Sequence, residues 1–90
     1  MKKPLILIAD DDDAIRLVLE KKFSRSGFTT KSTNKGKTLL SWIESGEGDL
    51  IITDVVMEDS NGLDLLLLIQ EIRPDLPVLI MSGLNTIKTA

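Results

Sequence analysis

The sequence predicts an α/β fold, a doubly wound parallel sheet, and three observations carry that expectation. Short runs of mainly branched apolar residues, Leu5–Ala9, Leu50–Thr53 and Val78–Met81, lack polar alternation, as do strands covered on both faces. Segments with apolar residues at helical spacing lie between them, and strands alternating with helices indicate parallel pairing through right-handed crossovers. Each apolar run is followed by a polar residue: Asp10, Asp54 and Ser82. In a parallel sheet these ends share one edge, where open α/β sheets bind ligands.

Leu5–Ala9 is the first strand, and Asp10-Asp11-Asp12-Asp13 follows it. Ile15, Val18, Leu19 and Phe23 then fall at helical spacing, widened by Ala14 and Leu17, with Arg16, Glu20 and Lys21 off the stripe. So broad a stripe predicts a helix that covers more than the sheet. Asp12 or Asp13 can cap its first turn, and Gly27 sits where a C′ glycine ends a helix. Phe28–Thr33 is β-prone and partly polar, the pattern of an edge strand. Asn34 is placed to cap a second helix over residues 35–45, with Leu39, Leu40 and Ile43 inward, Trp42 beside them and Gly46 as the stop. The turn Gly46-Glu47-Gly48-Asp49 leads into the central strand Leu50–Thr53. Residues 55–62 read as a loop, Leu63–Ile72 as a third helix closed by Pro74, and Val78–Met81 as the last strand. Leu84–Ala90 begins the pattern of a fourth helix.

Asp54 follows its strand with no spacer. An ionised carboxylate is costly in apolar surroundings unless paired or metal-bound, so Asp54 is expected where the strand emerges. With the two acid-ended strands as neighbours, Asp10, Asp11 and Asp54 bring up to three carboxylates into one small volume. Like charges so placed repel and are stabilised chiefly by a bound cation, which predicts a divalent metal site. Taken alone, Asp10–Asp13 also reads as a solvated run capping a helix, and Asp54 as an ordinary strand-end residue. Asp12 and Asp13 are assigned to capping and solvent. Gly62 reads as a backbone-conformation residue, and Trp42 and the leucines of Leu63–Leu68 as packing.

Ninety residues with a mean hydropathy of +0.10 support one domain and a real core. A net charge of −3, with Lys2-Lys3 and Lys21-Lys22 the longest basic runs, argues against a nucleic-acid surface. The absence of cysteine excludes disulfides, thiolate zinc sites and cysteine nucleophiles; the absence of histidine excludes histidine triads, histidine metal sites and a histidine phospho-acceptor. The apolar run after Lys2-Lys3-Pro4 is too short for a signal peptide, and no stretch approaches transmembrane length, so a cytoplasmic location is expected.

Ile8-Ala9-Asp10-Asp11, Ile15-Arg16, Asp54, Gly62 eight residues later, Leu76-Pro77-Val78 and Ser82 together resemble the receiver domains of two-component response regulators. The resemblance covers essentially all 90 residues, and residues 10–20 look most like the nitrogen-regulation (NtrC-like) branch. It implies a flavodoxin-like, CheY-like fold with strand order 2-1-3-4-5. It further implies that Asp54 accepts a phosphoryl group from a sensor histidine kinase, that Asp11, Asp54 and the main-chain carbonyl of Val56 ligate Mg²⁺, and that Asp10 acts mainly through water. Ser82 would hydrogen-bond a phosphoryl oxygen and report phosphorylation. The role implied is that of a phosphoryl acceptor regulating an output, with transcription the expected one, and with no direct nucleic-acid or membrane contact. Carboxylates, a carbonyl and water suit Mg²⁺, whose charge can offset that gathering on a transferred phosphoryl group.

Two departures from the family pattern carry expectations. Glu58 stands four residues after the acceptor, where the family usually has proline, and adds an acid near the site. By the family's layout the fifth strand and fifth helix would follow residue 90, and with them a phosphoryl-pairing lysine and an aromatic switch residue. Lys88 falls in the expected fourth helix and is not that lysine. Residues 1–90 thus read as a C-terminally incomplete receiver domain, with Ala14, Leu17 and the edge along Val78–Met81 uncovered and apt to form a dimer or a swapped oligomer. Two other functions fit some of these features. A truncated or pseudo-receiver would act only as an interaction module, and a haloacid-dehalogenase-type phosphatase would use Asp10-Asp11-Asp12 as an Asp-x-Asp nucleophile motif.

Overall fold

A computed structural model describes residues 3–81, and all nine elements below lie among them. They are β1 (Leu5–Ala9), α1 (Asp13–Arg25), β2 (Thr29–Thr33), α2 (Gly36–Glu44), β3 (Leu50–Asp54), β4 (Val56–Met57), β5 (Ser60–Asn61), α3 (Gly62–Ile72) and β6 (Val78–Met81). Four strands pair in parallel in the order β2-β1-β3-β6, and β4 and β5 form a separate antiparallel hairpin. The polar β2 lies at the edge, as its composition predicts. The register sets Ala9 opposite Thr53 and Asp54 opposite Met81, which brings Asp10 and Asp54 out at one edge of the sheet.

Successive side chains of a strand face opposite ways, and both faces of this sheet are covered. Leu7, Ala9 and Ile51 pack with Leu39 and Ile43 of α2, Leu65 and Ile69 of α3, Met57 and Leu76. On the other face Ile6, Ile8 and Ile52 meet Leu19 and Phe23 of α1, with Phe28 beside them. Gly27 and Gly46 follow α1 and α2 at φ +95° and +86°, conformations that cost glycine little.

The inward stripe of α1 is rotated from the expected one. Ile15 and Val18 are exposed, Val18 by 62%, whereas Arg16, Leu19, Glu20 and Phe23 face the sheet. The cause is polar: the Arg16 guanidinium donates to the main-chain carbonyl of Asp10 at 2.7 Å, and the Glu20 carboxylate accepts from the Ser32 hydroxyl at 2.7 Å. Ala14 and Leu17 are exposed, as expected, and so is Leu79 of β6. The leucines of α3 divide. Leu65 is buried, but Leu63, Leu67 and Leu68 are exposed, so the expected packing role fails for these three. One helix with one buried face cannot cover a stripe that runs all round it.

The cap of α2 also departs from expectation. Lys35 occupies the cap position with no side-chain bond to the helix, and Asn34 does not serve. The carboxylate of Asp59, from the turn of the β4–β5 hairpin, instead accepts the N–H groups of Gly36 at 2.8 Å and Lys37 at 3.2 Å. At α1, Asp12 is the cap, accepting from Ala14 and Ile15. Asn61 caps α3 in the same way through Leu63 and Asp64. Residues 55–62, expected as a plain loop, instead carry that hairpin and, at Gly62, the start of α3.

Candidate functional site at the carboxyl edge of the sheet

Asp10 leaves β1 with 4% of its surface exposed. Its carboxylate accepts the Asp12 N–H at 2.8 Å, and its own N–H donates to the Thr33 carbonyl at 3.1 Å. Burial pushes the Asp10 carboxyl above the ordinary carboxylate range; the Asp12 N–H opposes this, and the charges of Asp54, Asp12 and Asp11 add to it. Among the described residues no cation pairs with the Asp10 carboxylate. The described part of the site is therefore short of positive charge.

Asp54 closes β3. Its Oδ1 accepts the Val55 N–H at 2.7 Å, and that same N–H donates to the Met81 carbonyl at 3.0 Å. Oδ2 has no protein donor among the described residues. Asp11 is exposed and turned toward the hairpin, where it accepts the main-chain N–H of Glu58 at 3.1 and 3.4 Å. Val56 is 69% exposed and pairs with Asn61. The expected convergence of three carboxylates is thus incomplete: among the described residues no three acids form a ready group for a metal. Each carboxylate is held by a main-chain N–H instead. Ser82, the remaining predicted site residue, lies outside the described residues.

Gly62 is required by proximity. It has no positive φ, but a Cβ there would lie 2.6 Å from the carbonyl oxygens of both Asp54 and Val55. Sequence reading missed Arg16, which holds the Asp10 carbonyl, and Asp59, which holds α2. Arg16 was visible as a charged residue one turn into a helix that follows an acidic strand end. Asp59 gave no local signal, because its partners lie 22 and 23 residues away.

Two carboxylates at the ends of adjacent central strands put the molecule among α/β proteins whose chemistry sits at the carboxyl edge of a doubly wound sheet. The chain belongs to the response regulator receiver domain family, which matches residues 6–90. It is 55% identical over 85 residues to the DNA-binding transcriptional regulator NtrC of Rhizobium meliloti, a match covering 94% of this chain and 18% of the relative. It is 52% identical over 90 residues to the regulator of that name from Azospirillum brasilense, covering all of this chain and 19% of that one. These similarities bear out the expected NtrC-like branch. The chain spans under a fifth of the length of either relative. Among solved structures, the receiver domain of the Francisella response regulator 1452 superposes with a TM-score of 0.84 at 31% identity, covering 97% of this chain and 72% of that one. A CheY-like receiver domain protein from Methanospirillum hungatei gives 0.88 at 24% identity, covering 97% and 70%, and supports the fold alone. The doubly wound α/β architecture is as the residues predicted, and its CheY-like form is as the resemblance implied. Among the described residues no helix is long and apolar enough to cross a membrane.

Proposed function

We propose that residues 1–90 form one phospho-acceptor receiver module of a two-component phosphorelay. Asp54 takes a phosphoryl group from a sensor histidine kinase, and the change passes to an output domain or downstream regulator, with transcription as the output and the cytoplasm as the setting. One observation carries the reading: the buried Asp10 and the strand-end Asp54 emerge side by side, and among the described residues no cation pairs with Asp10. The module is a phosphoryl acceptor, with self-catalysed transfer at most.

The negative charge, uncompensated among the described residues, and the all-oxygen donor set fit a hard divalent cation. Asp11, Asp54 and the Val56 carbonyl would hold Mg²⁺, with Asp10 acting through water. Bound there, Mg²⁺ would supply the positive charge that phosphoryl transfer requires. Asp54 contributes the nucleophile. Its Oδ1 is fixed by the Val55 N–H, which leaves Oδ2 to attack phosphorus. The new O–P bond forms as the P–N bond to the kinase imidazole breaks, and the electron pair returns to the ring nitrogen. Ser82, next after Met81, would hydrogen-bond a phosphoryl oxygen. Self-association is part of the proposal, because Leu17 and Leu79 are each more than half exposed. Sedimentation of the chain beside a Leu17→Glu, Leu79→Glu variant tests it, and equal masses would exclude this interface.

The interaction-only reading is favoured by a separate observation, the engagement of all three carboxylates by main-chain donors. Incubation with acetyl phosphate and Mg²⁺, followed by intact mass measurement, separates the two. One added phosphoryl group, absent in Asp54→Asn and without metal, supports the acceptor. A folded sample with no adduct supports the interaction module.

A further inference from the structure

The β4–β5 hairpin is the piece of the site held least by the sheet, since its strands pair only with each other. It is also the piece from which Val56 would present a carbonyl to a metal. Its turn has two anchors. One is the Glu58 N–H on Asp11, a bond that occupies the very carboxylate a cation would need. The other is Asp59, whose carboxylate accepts from Gly36 and Lys37 at the start of α2 and touches none of the proposed ligands. The two surfaces are pressed together there. A Cβ on Gly36 would lie 2.6 Å from the Cβ of Ser60. Lys35, in extended backbone at the cap position, offers no competing bond to the helix.

We propose that Asp59 is a positioning residue for the acceptor site, using the N-terminus of α2 as a fixed post from which it holds the hairpin, and with it the Val56 carbonyl, in register with Asp11 and Asp54. The inference rests on the metal reading given above. Met57 roots the hairpin's first strand in the core, but of the turn's two polar anchors only Asp59 survives when a cation takes Asp11 from Glu58. Without it the hairpin samples other positions, and apparent affinity falls with the fraction of molecules that remain competent.

Titration of the 90-residue chain with Mg²⁺ in a calorimeter tests this, combined with hydrogen exchange at the Gly36 and Lys37 amides. Asp59→Ala is expected to weaken Mg²⁺ binding by about fivefold and to expose both amides to exchange. Asp59→Asn keeps a capping oxygen without the charge and should bind Mg²⁺ nearly as the unsubstituted chain does. Lys35→Ser with Asp59→Ala supplies α2 with a local cap at unchanged net charge, so the helix is restored while the tether stays cut. This double variant should remain weak, and it carries the test if Asp59→Ala alone does not fold. Recovery of affinity in the double variant would show that Asp59 acts only through helix stability and would overturn the proposal. Equal weakening in Asp59→Asn would assign the effect to charge and overturn it too. Unchanged affinity in Asp59→Ala overturns the positioning role and leaves the metal reading standing. No Mg²⁺ binding by the unsubstituted chain overturns both.

Discussion

The main-chain N–H of Glu58 donates to both carboxylate oxygens of Asp11, at 3.1 and 3.4 Å, across 47 residues of sequence. The bond closes the hairpin over the edge of the sheet and occupies an acid proposed for a metal. A proline at position 58 would have no N–H to give. Glu58 follows Met57 into the turn, and no described non-glycine residue has a positive φ, so Glu58 lies on the side of φ that proline requires. Glu58→Pro should therefore free Asp11 and tighten Mg²⁺ binding severalfold, as read by calorimetry. Weaker binding would instead show that the N–H orients Asp11 for the metal.

Asp10 is buried beside three other acids, and no cation pairs with it among the described residues. An asparagine there keeps an oxygen for the Asp12 N–H and removes the charge. Asp10→Asn is expected to stabilise the metal-free chain by about 1 kcal/mol, raising its melting temperature by about 4–8 °C. The same variant should lose most of the stabilisation that Mg²⁺ gives the unsubstituted chain. Thermal melts with and without Mg²⁺ check both parts.

The N–H of Gly36 is the main cause holding the Asp59 carboxyl below its ordinary value of 3.8, with the Lys37 and Ser60 hydrogen bonds and the Lys35 charge assisting. A carboxyl lowered in the folded state binds fewer protons there than in the unfolded chain. The stability it confers is complete above its ordinary value and is lost as pH falls through the lowered one. Melting temperatures from about pH 6 to about pH 3 should thus fall more steeply for the unsubstituted chain than for Asp59→Asn. Parallel curves would mean that the cap does not persist in solution.

Gly62→Ala would place a methyl group 2.6 Å from two backbone carbonyl oxygens, which cannot rotate aside. A destabilisation of about 1–3 kcal/mol is expected, measured by urea unfolding. Acetyl phosphate labelling of Asp54 should fall with it, because the displaced backbone is that of the acceptor and its neighbour. Gly27→Ala provides the contrast: space is open there, so its cost comes from the backbone conformation and labelling should persist.

The alternation of buried strands with helices was legible in the sequence because burial on both faces leaves uninterrupted apolar runs such as Leu50–Ile52, whereas the strand order came with the resemblance to receiver domains. Asp10 and Asp54 could be assigned to one edge for the same reason: each directly follows a strand, and parallel strands share their ends. The Asp12 cap was equally local. The α1 stripe was misread because hydrophobic spacing ranks Val18 above Arg16, whereas Arg16 and Glu20 turn inward to bond with the Asp10 carbonyl and the Ser32 hydroxyl.

The sequence by itself determined the three helices, the strands of the parallel sheet and the acids at its carboxyl edge, because each depends on residues adjacent in the chain or on the period of a strand. Only the tertiary structure decided that Asp11 turns to Glu58, that Asp59 rather than Asn34 caps α2, and that Gly62 is needed for space rather than for φ. These are contacts between segments brought together by folding, and neither spacing nor composition encodes which main-chain N–H a given carboxylate will meet.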